Sequence, residues 1–498
     1  MNDFLALGPD GRVADREGKT LEFKRDLSSP TGPLRTTVAF ANSAGGRLVI
    51  GVDDDGGVAG VADPLAEAER VASLIDDRIS PQLVPAIDLV TLDGRTVLVV
   101  DVPLSTRRPH YMTRQGPEAG VYVRLGPTTR RADPALVAEL ERNARGIAFE
   151  DLPEPRAALD DIDLAVLSEL RGRPTDAHDL LALGLAVAQG GEIVPTYAGI
   201  LAACPDPTRF LPSAWVHCGR LRGPSGTDIF DQIEIHGPMP LAVDKAVDFL
   251  LKHAYKTAVF GRVHRRDVYS IPVEPVREVI VNALVHAGYA ERGTPIRIGF
   301  YDDRIQVDSP GLLLPGMTID TMRRVSRLRN PALARVFREA GIMEQWGTGV
   351  QRVFEQVAEA GLPEPLIEEI QDRVRVTIYI PSHDPARPSG SANTGGGTDA
   401  ATGSSVRVSK SSEQVALLRA LAAGELRSRA ELLTTIGLTD AYGNYRRHLL
   451  PLVEQGYLAR TVPDKPNSRL QRYRITDAGR ARLAGISGAG GKGTPSAN

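Results

Sequence analysis

Cysteine is nearly missing from this chain: Cys204 and Cys218 are the only two in 498 residues. They make no disulfide framework and lack the paired spacing of a metal site, so a reducing cytoplasm is expected. No run approaches the ~18 apolar residues of a membrane span, so no membrane partner is expected. The opening Met1-Asn2-Asp3-Phe4-Leu5 carries no basic and apolar leader, and no export signal is expected there. No G-x-x-x-x-G-K-[ST] sequence occurs, which excludes a P-loop ATPase or helicase. There is no H-E-x-x-H, and no Ser/His/Asp constellation can be named. Charge of one sign is missing too: the formal net charge is −3, so any nucleic-acid binding must come from local patches.

What is present is length and apolar content. At 498 residues and 42% hydrophobic, the chain has room for three or four domains, each with its own core. Glu150 to Arg156 (E-D-L-P-E-P-R) breaks the pattern after a first domain. Residues 383–411 are rich in Ser, Gly, Thr and Ala and read as a flexible linker. The tail 485–498 is Gly/Ser-rich and reads as disordered. Between 157 and 245 the pattern is weakest. There Pro195–Leu201 and Ala214–Cys218 read as strands with a helix between them.

The densest chemistry lies in Arg277-Glu278-Val279-Ile280-Val281-Asn282-Ala283-Leu284-Val285-His286. Glu278, Asn282 and His286 are four apart, so on a helix they share one face. A carboxylate and an amide one turn apart suit a nucleotide site, because an amide oxygen can ligand Mg²⁺ and a carboxylate can take a proton from water. A polar helix face is the plainer alternative. Ile296–Phe300 and Arg304–Val307 then read as a hairpin around Asp302-Asp303. Asp308-Ser309-Pro310-Gly311 breaks its second strand. Trp346-Gly347-Thr348-Gly349 opens the helical pattern Val350, Val353, Phe354, Val357, and glycines at a helix start let backbone N–H groups approach a phosphate.

This order of helix, hairpin, glycine break and glycine-helix resembles the GHKL ATPase family of gyrase, histidine kinases and MutL. It is most similar to a branch found in bacterial regulators, with R-E-x-x-x-N-A-x-x-H, S-P-G-x-L, R-N-P and E-x-x-G-T-G. The chain has Arg277–His286, Ser309–Leu312, Arg329-Asn330-Pro331 and Glu344–Gly349 in those places. The resemblance implies ATP and Mg²⁺ as cofactors. Glu278 would be the general base and Asn282 the Mg²⁺ ligand. His286 and Gly311 would line the nucleotide, and Gly347, Thr348 and Gly349 would close over its phosphates. The family's adenine-reading Asp is replaced by Ser309, with Asp308 one place early and Leu313 at the second glycine. A register shift would bring Asp308 to the adenine; otherwise nucleotide preference is weak or altered.

Glu17 to Gly60 is the second informative segment. Glu22 and Lys24 share a strand face while Leu21 and Phe23 take the other. Leu34, Val38 and Ala41 mark a helix. Arg47–Val52 is a buried strand ending in Asp53-Asp54-Asp55-Gly56. With Ala39-Phe40-Ala41-Asn42-Ser43-Ala44-Gly45-Gly46 and Tyr122–Gly126, these motifs resemble the Schlafen-type AlbA-like domain. That resemblance implies contact with RNA or single-stranded nucleic acid. In Schlafen nucleases the matching positions, Glu17, Glu22 and Asp53, would hold a metal. Solvated acids, or a Glu22–Lys24 pair, are the plainer reading.

Residues 410–484 read as three helices and a hairpin, the order of a winged helix-turn-helix, which also serves elsewhere as a plain interaction or dimer module. Between Arg407 and Arg482 there are 14 Lys/Arg against 7 Asp/Glu. Asn444, Tyr445, Arg446 and Arg447 fall on the expected recognition helix. Arg460, Lys465, Arg469, Arg472 and Arg474 fall on or near the wing. Such clusters suit the phosphates of duplex DNA.

The expected fold class is α+β multidomain. Its parts are an AlbA-like domain (1–148), an α/β connecting region (149–245), a GHKL-like sandwich (246–382), a linker (383–409), a winged helix (410–484) and a tail (485–498). The expected function is a cytoplasmic, ATP-binding transcriptional regulator, a homodimer or higher homo-oligomer, in which nucleotide state modulates DNA binding. The rivals are an ATP-gated metal-dependent nuclease that acts on foreign nucleic acid, and a scaffold with inactive domains.

Overall fold

A computed structural model describes residues 4–223, 226–260, 265–291, 293–344, 349–381, 417–422, 426–436, 448–461 and 471–487. The chain divides into two compact units, Met1–Asp384 and Pro385–Asn498.

The first unit opens with a four-stranded sheet ordered Leu21–Lys24, Gly46–Ile50, Arg95–Val102, Ala86–Leu92. The first two strands are parallel, joined through helix Thr31–Asn42; the other pairs are antiparallel. Side chains alternate across the sheet. Leu48, Ile50, Leu98 and Val100 pack with Leu34, Val38, Phe40, Val71 and Ile75 of helices Thr31–Asn42 and Pro64–Arg78. Val49, Val97 and Val99 face the other way, onto Leu5, Val13 and Phe23. Both faces of the strand are covered, which is why 48–52 carries no polar side chain.

A six-stranded sheet follows, ordered Asp228–Ile235, Val216–Arg222, Ile296–Phe300, Arg304–Pro310, Arg373–Tyr379, Leu366–Ile370. Only Val216–Arg222 and Ile296–Phe300 run parallel. Helices Met239–His253 and Val273–His286 bury Val243, Phe249, Leu250, Ile280 and Leu284 with Val216, Ile296, Ile298, Ile305 and Val307. His217, Gly219, Arg297, Gln306 and Asp308 take the polar face.

Three expectations are corrected here. Ala214–Cys218 does lie at a strand, but that strand pairs with Ile296–Phe300, so the last part of the expected connecting region is the flank of the second sheet. Pro195–Leu201 is mostly helix: Tyr197–Ala203 starts after Thr196, whose side chain accepts from Gly199 N–H. The Thr hydroxyl satisfies an end N–H and outweighs the β-propensity of the run. Glu150, expected in an open joint, is wholly buried. Its carboxylate accepts from Ala332 and Leu333 N–H at 2.5 and 3.0 Å, capping helix Pro331–Glu339.

In the second unit, helix Arg429–Thr435, helix Leu450–Glu454 and helix Asp477–Ser487 accompany a three-stranded sheet ordered Arg427–Ser428, Arg472–Ile475, Leu458–Arg460. Leu417, Leu421, Leu432, Leu433, Leu449, Leu452, Leu458, Tyr473 and Ile475 form its core. Ser428 caps its helix reciprocally with Glu431. Among the described residues of the chain, no helix is long and apolar enough to cross a membrane.

Candidate nucleotide site

Helix Val273–His286 explains the spacing of its polar residues. Val276, Ile280 and Leu284 bury one face, which turns Glu278, Asn282 and His286 to another. All three line one pocket, together with Ala283, Val307, Ser309, Gly311, Val353 and Phe354. The pocket's empty volume is ≈ 1210 Å³, open solvent included. The helix is fixed from its far end by Asn330, 1% exposed, whose amide donates to Val285 O and Ala287 O at 2.8 and 2.9 Å. These are two of the end carbonyls that a helix leaves unpaired.

Within the pocket, Asn282 Nδ2 donates to Glu278 Oε1 at 3.2 Å. That leaves Asn282 Oδ1 accepting no hydrogen bond among the described residues. Mg²⁺ takes one or two protein oxygens besides phosphate and water, so this donor set fits the ion, and Asn282 Oδ1 is the atom that would hold it. Helix Gly349–Glu359 closes the opposite wall. A Cβ at Gly349 would stand 1.8 Å from Glu278 Oε1, so only glycine lets this helix start come so close to the carboxylate. Arg352 Nη2 lies 3.9 Å from Glu278 Oε2 and also pairs with Glu344. Gly347 and Thr348 lie outside the described residues.

Much of the rest of the lining is apolar, with Arg327, Glu344 and Arg352 among the exceptions. Leu312, Leu313, Leu314, Met317, Met322 and Val325 come from the long loop after the glycine break. Such walls suit a flat base more than a charged group. Burial, with Arg329 close by, pushes the His286 imidazole down to about 4, so it is neutral at physiological pH. Arg329 is neutralised by Glu139 and holds Leu312 O.

Asp308 does not reach this pocket. Strand Arg304–Pro310 pairs without a bulge on both sides, so Ser309 and Val307 face the pocket and Asp308 faces away. Asp308 is held by Arg375 in a two-bonded pair at 2.6 and 2.7 Å. Ser309 does face the pocket, but its hydroxyl donates to Ala283 O at 3.0 Å. Neither residue offers a free carboxylate to a base.

The three N-terminal carboxylates are each engaged elsewhere. Glu22 lies 2.9 Å from Lys24 Nζ and 2.9 Å from Arg124 Nη1. Arg124 is 1% exposed, so this is a buried structural pair. Asp53 pairs with Arg25 at 3.0 Å. Glu17 Oε1 accepts from Phe23 N–H at 2.9 Å, and burial raises its pKa above the usual carboxylate range. Among the described residues, no three His, Cys, Asp or Glu side chains are grouped to hold a metal ion. Sequence reasoning missed Arg124 as the partner of Glu22, although it named the strand that carries it. In the second unit, Arg472 and Arg474 alternate with buried Tyr473 and Ile475 and are exposed; Arg460 is half-buried. Asn444, Tyr445, Arg446, Arg447, Lys465 and Arg469 lie outside the described residues.

Comparison with known proteins matches residues 17–133 to the family described as Schlafen, AlbA_2. Residues 293–378 match the family described as "Putative ATP-dependent DNA helicase recG C-terminal". Residues 413–476 match the Fic-like C-terminal domain of "Filamentation induced by cAMP" proteins, where a winged helix was expected. Among solved structures, the DIP2311 protein of Corynebacterium diphtheriae is similar at 18% identity and a TM-score of 0.39, over 95% of this chain and 98% of that one. The N-terminal domain of a RecG-related protein of Nitrosomonas europaea is 32% identical with a TM-score of 0.20, over 24% of this chain and 86% of that one. No curated protein matches. The chain joins a Schlafen/AlbA-like domain to an ATPase-like domain.

Proposed function

We propose that this chain is an ATP-binding regulator whose nucleotide state modulates binding of nucleic acid. The observation that carries the reading is the cradle at Gly349: a glycine helix start set against Glu278, one turn from Asn282. Asn282 Oδ1 would hold Mg²⁺ and the glycine helix start would take the phosphates, while Glu278 would orient a water and take its proton as it attacks the terminal phosphate and ADP leaves. Mg²⁺ supplies charge neutralisation on the phosphates when bound. The base sits among the apolar walls without a carboxylate reader, so ATP is preferred over GTP only weakly. The helicase in the matched family's description is not carried over, because the chain has no P-loop sequence.

Duplex DNA is the partner of residues 410–484. The basic balance of that segment supports this, as does the described order of short strand, helix, helix and two antiparallel strands, which suits a winged helix-turn-helix. A cytoplasmic homodimer would present two such modules to one operator. The nuclease rival is disfavoured by the pairing of Glu22 with Arg124 and of Asp53 with Arg25. The test is a mobility shift with a genomic DNA library, with and without ATP and Mg²⁺. Selection of a preferred sequence, lost on deletion after Ser409 and changed by ATP, is expected. Sequence preference unaltered by that deletion would refute the assignment.

A further inference from the structure

Arg352 stands in the pocket between two carboxylates. Its Nη1 donates to Glu344 Oε1 at 2.5 Å, and its Nη2 lies 3.9 Å from Glu278 Oε2. Glu278, Asn282, Glu344, Gly349 and Arg352 all line the same cavity. The other two guanidiniums of that lining hold the loop after the glycine break, Arg329 at Leu312 O and Arg327 at Pro315 O. Among the described residues, Arg352 alone of the three pairs with Glu278.

A purely structural role explains this placement poorly. Arg352 is the fourth residue of helix Gly349–Glu359, in the turn where the positive end of the helix dipole disfavours a cation. Its pair with Glu344 is solvent-exposed, with the side chains 34% and 61% accessible, and such a pair contributes little to stability. A guanidinium carries five N–H donors in a planar fork, yet among the described residues only Nη1 makes a hydrogen bond. The fork is thus divided between two acids and is bidentate on neither. Two oxygens of one phosphate accept such a fork together, through charge-assisted bonds stronger than a single exposed contact. Glu278 is held in place by Asn282 Nδ2 at 3.2 Å. Glu344 stands at the exposed rim, and is the acid that gives way.

We propose that Arg352 recognises the terminal phosphate: it leaves Glu344 for the third phosphate of ATP, and so sets the preference for ATP over ADP. The proposal rests on the nucleotide reading above and deepens it. That reading puts the phosphates against Gly349, Asn282 and Glu278, and Arg352 reaches the same place from the first turn of the helix that Gly349 begins. Glu344 is then a competitor. Without a nucleotide it neutralises Arg352, and the phosphate must displace it.

The test uses the full chain and calorimetry with ATP, ADP and sodium tripolyphosphate, each with Mg²⁺. Arg352→Gln should weaken ATP about tenfold, the loss of a charge-assisted contact, and leave ADP nearly unchanged. Arg352→Lys should recover part of that affinity, as a point charge without the fork. Glu344→Gln should act in the opposite sense and tighten ATP by about two- to fivefold, because an exposed pair no longer competes. If the pair of Glu344 and Arg352 only shaped the pocket, both substitutions would weaken ATP. A ratio of ATP to ADP affinity unchanged in Arg352→Gln, or lowered in both Arg352→Gln and Glu344→Gln, would overturn the assignment. If wild type binds neither nucleotide, the nucleotide reading falls by itself, and tripolyphosphate decides the site. Binding weakened by Arg352→Gln then supports it; no binding, or binding indifferent to that change, overturns it.

Discussion

A methyl group at position 349 would stand 1.8 Å from Glu278 Oε1, where ordinary contact begins at 3.4 Å. Gly349→Ala must therefore displace the carboxylate by about 1.6 Å. The atom in the way is the end of a flexible side chain, so the fold can yield. The hydrogen bond from Asn282 to Glu278 is lost, at about 1.5–3 kcal/mol for a charged acceptor. Alanine returns up to about 1 kcal/mol in helix propensity. The net change in stability is then ~2 kcal/mol or less, a shift of a few degrees in melting temperature. Catalysis has no such tolerance: a misplacement near 1 Å can cost about 100-fold. We expect phosphate release from ATP to fall by about two orders of magnitude in Gly349→Ala, with the melting midpoint lowered by no more than those few degrees. Unaltered turnover in a folded Gly349→Ala protein would refute the placement of Glu278 as the base.

His286 is depressed to about 4 in the fold, against 6.5 in an unfolded chain. Above pH 6.5 it is neutral in both states and costs nothing. As pH falls from 6.5 to 4 the unfolded state takes up the proton first, and ~3 kcal/mol of stability is lost. Denaturant titrations across that window should show the loss, and His286→Gln should flatten it; an identical slope in the variant would remove His286 as the cause. Arg124→Met strands Glu22 with only Lys24 beside it, and a broken buried pair costs about 3–5 kcal/mol. Urea midpoints check this, and a change below ~1 kcal/mol would show that Lys24 alone suffices. Structured RNA and single-stranded DNA, incubated with Mg²⁺ or Mn²⁺ with and without ATP, should remain intact. Cleavage that disappears in Glu22→Ala and Asp53→Ala would install the nuclease reading instead.

The helix of Glu278, Asn282 and His286 was legible because a spacing of four and an apolar stripe on another face are properties of sequence alone. The hairpin Ile296–Val307 was legible from alternation and its Asp-Asp turn. Asp308 was misjudged on the same evidence. A strand has period two, so a neighbour of Ser309 reaches the pocket only through a bulge, and both partner strands pair here without one. Strand Val216–Arg222 was assigned to a connecting region because its partner, Ile296–Phe300, is distant in sequence, and no local pattern reports a parallel pairing. Glu150 looked like part of an open joint, because nothing near it in sequence shows that the N-terminus of helix Pro331–Glu339 receives its carboxylate.

Calorimetry of the wild-type chain with ATP and Mg²⁺, repeated with Asn282→Ala, tests the central claim most directly. The account predicts one saturable binding event in the wild type that requires Mg²⁺, and its loss in Asn282→Ala, because alanine removes the one oxygen placed to hold the ion. No binding by the wild type, or Mg²⁺-dependent binding that survives in Asn282→Ala, would contradict it.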